Sequence, residues 1–275
     1  MRRYPELELQ KIETITSHAN PLLKDVRRAI AKGTLTASGL AVAEGVHLLE
    51  EAIRSEVRIP AVLLSASAGR AIAGLLEKLT LSRIITLPDA QFVALSATET
   101  PQGVMALVEP PEWVPEDLFT GTPLVVVLDG VQDPGNAGAI ARAAEAFGAT
   151  GIIFAKGTVG LHHPRTLRAS AGSLFRLPCI SGLETEAVVE LLATHRCTSW
   201  VAMPWSDTVS MASAAKLTGP VALVIGNEGH GVGLVLQGAS TPISIATQKV
   251  ESLNASVAAA ILLYEASRQR GVSRA

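Results

Sequence analysis

Residues 124–148 read LVVVLDGVQDPGNAGAIARAAEAFG, and the order of features in this stretch decides the fold class. Leu124 to Asp129 is short, β-branched and apolar on both faces, as a strand buried in a parallel sheet tends to be. A turn with Asp133, Pro134 and Gly135 follows, then an Ala-rich segment, 137–147, that reads as a helix. Asn136 stands where an N-cap belongs and Gly148 where a helix stops. Strand, turn and helix in that order make half of a β-α-β unit. GIIFA (151–155), VALVIG (221–226) and ISIA (243–246) repeat the buried-strand pattern downstream, with helical patterns between them. The region is therefore expected to be an α/β domain with a parallel sheet.

Upstream, AEGVHLLEEAIRS (43–55) has apolar residues at helical spacing, AVLLS (61–65) and SRIITL (82–87) read as strands, and AGRAIAGLLEKLT (68–80) reads as a helix between them. This is a second, smaller α/β layer structure. The stretch PPEWVPEDLFTGTP (110–123) contains four prolines and no apolar period, so it reads as a linker. The expected organisation is an amino-terminal domain over 1–109, a linker over 110–121 and a carboxy-terminal domain over 122–275. There is no repeat of solenoid period and no low-complexity tract.

The 275 residues are 48% hydrophobic, 17% charged and 4% aromatic, which excludes a disordered or fibrous chain. No apolar run is long enough to cross a bilayer and MRRYPELELQ has no signal-peptide core, so a cytoplasmic protein without a membrane partner is expected. Cys179 and Cys197 form no CxxC pair and read as small buried hydrophobes rather than disulfide or zinc ligands. His162 and His163, with no acid or thiol beside them, read as loop residues, and no metal is expected. The net charge of -2 hides an uneven distribution: residues 1–36 carry +3, residues 37–120 carry -6 and residues 121–275 carry +1. A polyanion can thus meet the two ends. Ten aromatic residues are too few for a platform that stacks successive bases, so any RNA contact rests on shape and phosphate.

Three segments carry residues suited to chemistry. The first is the turn and helix with Asn136 and Arg142, six residues apart at the carboxyl end of a parallel strand, where ligand sites of α/β sheets form. Taken singly, these are a cap and a solvated cation. The second is Gly226-Asn227-Glu228-Gly229-His230-Gly231-Val232-Gly233. Its glycines permit a tight turn and close approach to a ligand, but a plain turn does not call for Glu228. The letters also contain G-x-G-x-G, yet a dinucleotide loop opens its sheet and needs an acid about 20 residues on, and no acid lies between Gly233 and Glu251. The third, Glu251-Ser252-Leu253-Asn254, is expected to open the last helix and to set a hydroxyl and an amide at its positive end.

Together the three segments resemble the motifs of the SpoU (TrmH-type) RNA 2′-O-ribose methyltransferases of the SPOUT superfamily: Asp133-Pro134-Gly135-Asn136-Ala137-Gly138 with Arg142, then Gly226-Asn227-Glu228-Gly229, then Glu251-Ser252-Leu253-Asn254. Arg165 to Pro178 is similar to the family's linking segment. Glu44-Gly45 and Leu95 to Val104 are similar to its amino-terminal substrate-binding domain, which is related in fold to ribosomal stem-loop-binding proteins. The likeness covers about residues 16–108 and 122–268. One departure stands out: Ile243 to Lys249 has no proline, methionine or glycine where the family has Pro-Met and then Gly, which implies a differently shaped cofactor-facing loop.

The resemblance implies a parallel-sheet domain tied in a deep trefoil knot, S-adenosylmethionine as cofactor, a homodimer through the carboxy-terminal domain, and ribosomal RNA, 23S rather than transfer RNA, as substrate. It implies catalytic roles for Arg142, Asn136, Glu228, Ser252 and Asn254, cofactor contacts from Gly226, Asn227, Ile245 and Leu253, and phosphate contacts from Arg165, Arg168 and Arg176. Arginine, with a pKa above about 12, is not a proton acceptor, so Arg142 is expected to act by charge. A non-catalytic RNA-binding protein of the same fold and a transfer-RNA methyltransferase stay open as alternatives.

Overall fold

The computed structural model describes residues 12–68, 72–79, 82–204, 206 and 209–271. The chain divides into two compact units: residues up to Pro111 together with His162–Pro164, and Glu112–Leu161 together with Arg165 onward.

The first unit runs β1 (Ile12–Thr14), α1 (Pro21–Lys32), β2 (Ala41–Glu44), α2 (Val46–Arg54), β3 (Ala61–Ser65), α3 (Ala73–Leu76), β4 (Arg83–Leu87), α4 (Asp89–Leu95) and β5 (Val104–Val108). Its sheet has the order β1-β4-β3-β5-β2, with β5 antiparallel to both β2 and β3. The helical period beginning at Ala43 starts later than expected. Ala43 and Glu44 close β2, and the helix begins after Gly45, whose φ of 107° turns the chain out of the sheet. Of the helix expected over 68–80, only Ala73–Leu76 is helical among the described residues, and 69–71 and 80 lie outside them. Glu44 is buried, and its carboxylate accepts from Ser96 Oγ, from the Ala97 amide at 3.0 Å and from Thr98 Oγ1 at 2.8 Å. Val46 N–H donates to Gln102 Oε1 at 3.0 Å. The amino-terminal motif residues are therefore a polar clasp that closes the loop before β5 over the start of α2.

The second unit contains β6 (Leu124–Asp129), α5 (Pro134–Ala146), β7 (Gly151–Phe154), α6 (Pro164–Ser170), β8 (Cys179–Ser181), α7 (Thr185–Thr194), β9 (Thr198–Ala202), β10 (Ser210–Met211), β11 (Val221–Gly226), α8 (Leu234–Gly238), β12 (Thr241–Ser244) and α9 (Ala255–Gln269). The sheet is parallel throughout, in the order β10-β12-β9-β11-β6-β7-β8. All six residues of β6 and the first five of β11 are buried, so helices cover both faces at the centre. Cys179 is buried, but Cys197 is only half-buried at the turn into β9. The proline-rich stretch expected as a linker holds a 3₁₀ turn, Pro115–Phe119, with Leu118 fully buried and its carbonyl accepting from Thr150 Oγ1 at 2.6 Å. Leu118, with the partly buried Phe119 beside it, thus anchors the segment to the second unit. Among the described residues no helix is long and apolar enough to cross a membrane.

At the far end of α9, Arg270 donates to the carbonyls of Thr122 (2.8 Å), Pro123 (2.9 Å), Leu217 (2.9 Å) and Gly219 (2.6 Å). These carbonyls precede β6 and β11, so one guanidinium ties the last helix to the entry of both central strands.

Candidate active site

The loops after β6, β11 and β12 all leave the carboxyl ends of parallel strands, the first two from the central pair β11 and β6 and the third from a strand separated from β11 by β9. The first corrects an expectation. The N-cap of α5 is Asp133, not Asn136; its Oδ1 accepts from the Asn136 amide at 2.8 Å, and Pro134 opens the helix. An aspartate three residues earlier with proline behind it makes the better cap. Asn136, relieved of capping, keeps its side chain for other partners.

The third loop is corrected in the same way. α9 starts at Ala255, and Glu251 and Ser252 precede it instead of forming its first turn. Asn254 is the cap, its Oδ1 accepting from Ser256 N–H at 2.9 Å and Val257 N–H at 3.3 Å. That fixes the amide's orientation, since the oxygen must face the helix and Nδ2 must face away. Nδ2 donates to Asn136 Oδ1 at 3.1 Å, and Asn136 Nδ2 donates to Glu228 Oε1 at 2.6 Å. Three residues remote in sequence, from three loops, form one chain of hydrogen bonds, with donor and acceptor at each link set by the helix end.

The middle loop is held from beneath. Asn227 Nδ2 donates to the Gly130 carbonyl at 2.8 Å, and its Oδ1 accepts from the amides of Gly229 (2.8 Å) and His230 (3.0 Å). Asp129, buried at the end of β6, accepts from Gly233 N–H at 2.7 Å. Asn227 and Gly231 bridge through their backbones at 2.9 Å in both directions. Gly226 packs directly under this bridge: a Cβ there would fall within 2.5 Å of the Val232 nitrogen, so no larger residue fits without moving the loop.

A cavity of ≈ 630 Å³ opens among these loops, in the size range of small-molecule sites. Gly226, Asn227, Ile245 and Leu253 line it, as do Glu228, Ser252, Asn254 and His230. Ala202, Met203 and Pro204 at the end of β9, and Gln237 of α8, line it as well, and sequence reasoning missed them. Nothing marks them in advance, because β9 reads TSWVA, with neither alternation nor a fully apolar run.

Arg142 is not among the cavity residues. It is exposed on α5, about 9 Å along the axis from Asn136, and has no hydrogen-bond or ion-pair partner among the described residues. One turn before it, Ala139 joins Ser256, Val257, Ala260, Ile261 and Tyr264 around a shallow, largely apolar hollow of ≈ 460 Å³. Val257, Ile261 and Tyr264 of that hollow are exposed. Arg142 therefore lies on the face of α5 that borders an uncovered apolar surface.

Arg165 and Arg168 are exposed on α6. Arg176 is engaged: its Nε donates to Glu145 Oε1 at 2.6 Å and a second guanidinium nitrogen to Oε2 at 2.9 Å. Burial pushes the Glu145 carboxyl up, but bonds from Arg176 and Ser173 outweigh it and hold the group below its ordinary value of 4.5.

The model of the SpoU rRNA methylase family matches residues 123–264, and that of the MRM3-like substrate-binding domain matches residues 20–106. The chain is 32% identical over 260 residues to the Bacillus subtilis 23S rRNA (guanosine(2553)-2′-O)-methyltransferase RlmP, covering 92% of this chain and 98% of the relative. Among solved structures it is similar to an AdoMet-bound rRNA methyltransferase of Sinorhizobium meliloti, with TM-score 0.80, 25% identity and 94% and 98% of the two chains covered. The SpoU methyltransferase AviRb of Streptomyces viridochromogenes in complex with AdoMet aligns with TM-score 0.79 and 26% identity, over 91% of this chain and 99% of that one.

Proposed function

Since the chain belongs to the SpoU rRNA methylase family, we propose that it methylates the 2′-hydroxyl of a ribose in structured RNA, 23S ribosomal RNA, with S-adenosylmethionine as donor. The meeting of Asn136, Glu228 and Asn254 at the edge of the cavity is the observation that carries this reading. A ligand site on a folded scaffold needs polar groups held in place before the ligand arrives, and the fixed amide orientations provide that.

The cavity suits the donor in size and lining. Gly226, Asn227, Ile245 and Leu253 would hold it, mostly through backbone groups, since the Asn227 side chain is committed to the loop. When bound, S-adenosylmethionine supplies a methyl group on a positively charged sulfur. Asn136 and Asn254 orient the ribose beside it, with Ser252 as a further hydroxyl partner. Glu228 keeps Oε1 on Asn136 and offers Oε2 to a guanidinium. Arg142 retains its charge and acts by binding the neighbouring phosphate and the hydroxyl, which favours loss of the hydroxyl proton.

In this reading the apolar hollow of α5 and α9 receives a second copy of the chain, and Arg142 on its border serves the partner's site. The same reading includes the trefoil knot and a cytoplasmic location. Supporting the knot is the position of the last strand, β12, inside the sheet between β10 and β9, with α9 starting beside the first turn of the much earlier α5. Arg165 and Arg168 stand as phosphate contacts, and Arg176 as one only where it leaves Glu145.

The test is methyl transfer from labelled S-adenosylmethionine to 23S, 16S and transfer RNA transcripts, followed by mapping of ribose-methylated positions. One labelled ribose in 23S RNA is expected. No label in any RNA would overturn the enzyme, and label in transfer RNA alone would overturn the substrate.

A further inference from the structure

We infer that the exposed face of α1 is a docking strip for the RNA backbone, a surface of the first unit separate from the cavity. Lys24, Arg27, Arg28, Ala31 and Lys32 are all exposed. At 100° per residue they fall within an arc of about 140°, so four cations share one face over about 12 Å of helix. The opposite face, with Leu23, Val26 and Ala29, is buried in the core of the unit.

The one acid of α1, Asp25, is paired with only one of the four cations, Arg28. Asp25 Oδ1 and Oδ2 accept from the Ala37 amide at 3.1 and 2.8 Å, and Oδ1 holds Arg28 at 2.5 Å. The side chains of Lys24, Arg27 and Lys32 have no hydrogen-bond or ion-pair partner among the described residues. Unpaired cations side by side repel one another and cost stability on their own. The remainder of the first unit is acidic in composition, which makes the strip a local feature rather than part of a general positive surface.

The arrangement favours a polyphosphate chain over other anionic partners. A bilayer-binding helix needs an apolar face to insert, and that of α1 is already buried. Cations in a row on a rigid helix suit phosphates that recur along a strand, and such contacts position a nucleic acid without reading its sequence. The inference rests on the RNA methyltransferase reading and adds the surface that brings the RNA to it.

The experiment uses the full chain with the substitutions K24Q, R27Q and K32Q combined, all at exposed helix positions where glutamine is a good helix former. Binding to a 23S RNA transcript is measured across salt concentrations, together with methyl-transfer kinetics at saturating S-adenosylmethionine. The expected result is binding weakened at least about tenfold at low salt, a slope of log affinity on log salt smaller by about two to three, and a raised KM with kcat retained. The charge-preserving variant K24R, R27K and K32R is expected to restore both. Unchanged affinity and slope, with methylation intact, would overturn the strip alone. A wild-type chain that neither binds nor methylates RNA would overturn the strip and the function together. Equal binding of the wild type to poly-glutamate or phosphatidylserine vesicles, lost in the triple variant, would overturn RNA as the partner.

Discussion

Asn254 accepts the first amide hydrogens of α9 on Oδ1 and therefore presents Nδ2 to Asn136 Oδ1, 3.1 Å away. A helix cap and a site contact are two ends of the same amide, so stability and activity can be separated by one atom. Asn254→Asp keeps the capping oxygen and suits the positive helix end, but replaces the donor to Asn136 with an acceptor. Thermal stability is expected to stay close to wild type, while methyl transfer falls at least about 100-fold because Asn136 and Glu228 lose their fixed orientation. Asn254→Ala is expected to lose the same activity and about 1 kcal/mol of stability as well. Equal activity of wild type and Asn254→Asp would contradict the role of the chain of amides.

How much of this was legible in sequence follows from where the information lies. The central strands were readable because β6 and β11 are buried on both faces, and an unbroken apolar run then has no other use. The site loops were readable as motifs, but their geometry was not. The helical pattern begins after Asn136 and so points to it as the cap, and only the Asp133 bond shows which residue holds that post. β9 escaped notice because polar Thr198 and Ser199 and the large Trp200 break the apolar pattern while pairing with β11 keeps the strand. Charge pattern likewise gives no sign that Arg176 bonds Glu145, which is 31 residues away.

Arg270 gives a stability prediction. Its guanidinium donates to four carbonyls at the entry to the central strands, of which that of Pro123 also accepts from the Val221 amide at 3.0 Å. Arg270→Met removes every one of those donors at a half-buried position and is expected to cost about 2 to 4 kcal/mol in denaturant unfolding. Arg270→Lys is expected to recover only part of this, since an ammonium cannot reproduce the planar fork. A midpoint within error of wild type for Arg270→Met would show that water replaces the clamp.

The Glu145 and Arg176 pair gives a pH dependence. The folded carboxyl sits below its ordinary value of 4.5, so its contribution is present above that value and is lost as pH falls through the lower, folded one. Arg176→Gln is therefore expected to lower Tm at pH 7, with the difference from wild type narrowing steadily as pH drops below 4.5. Because the fork of Arg176 is closed on Glu145, the same variant is expected to bind 23S RNA within about twofold of wild type. A Tm gap that stays constant from pH 7 to pH 3 would assign the stabilisation to packing of the side chain instead.

The position of Arg142 yields the prediction that bears most directly on assembly. Its own cavity does not include it, whereas the apolar hollow beside it exposes Val257, Ile261 and Tyr264 to solvent. Placing a charge there by Ile261→Arg is expected to turn a dimer into a monomer by light scattering, with methyl transfer lost although S-adenosylmethionine still binds. If Arg142 serves the partner's site, two inactive variants complement each other. Mixed after co-expression, Arg142→Ala and Asn254→Asp form a mixed dimer in which the intact Asn254 of one copy meets the intact Arg142 of the other. Random pairing then leaves about a quarter of the sites whole, and about a quarter of wild-type activity is expected from the mixture. If Arg142 acts within its own chain, every site in the mixture carries one defect and no activity returns, which separates the two arrangements in a single assay.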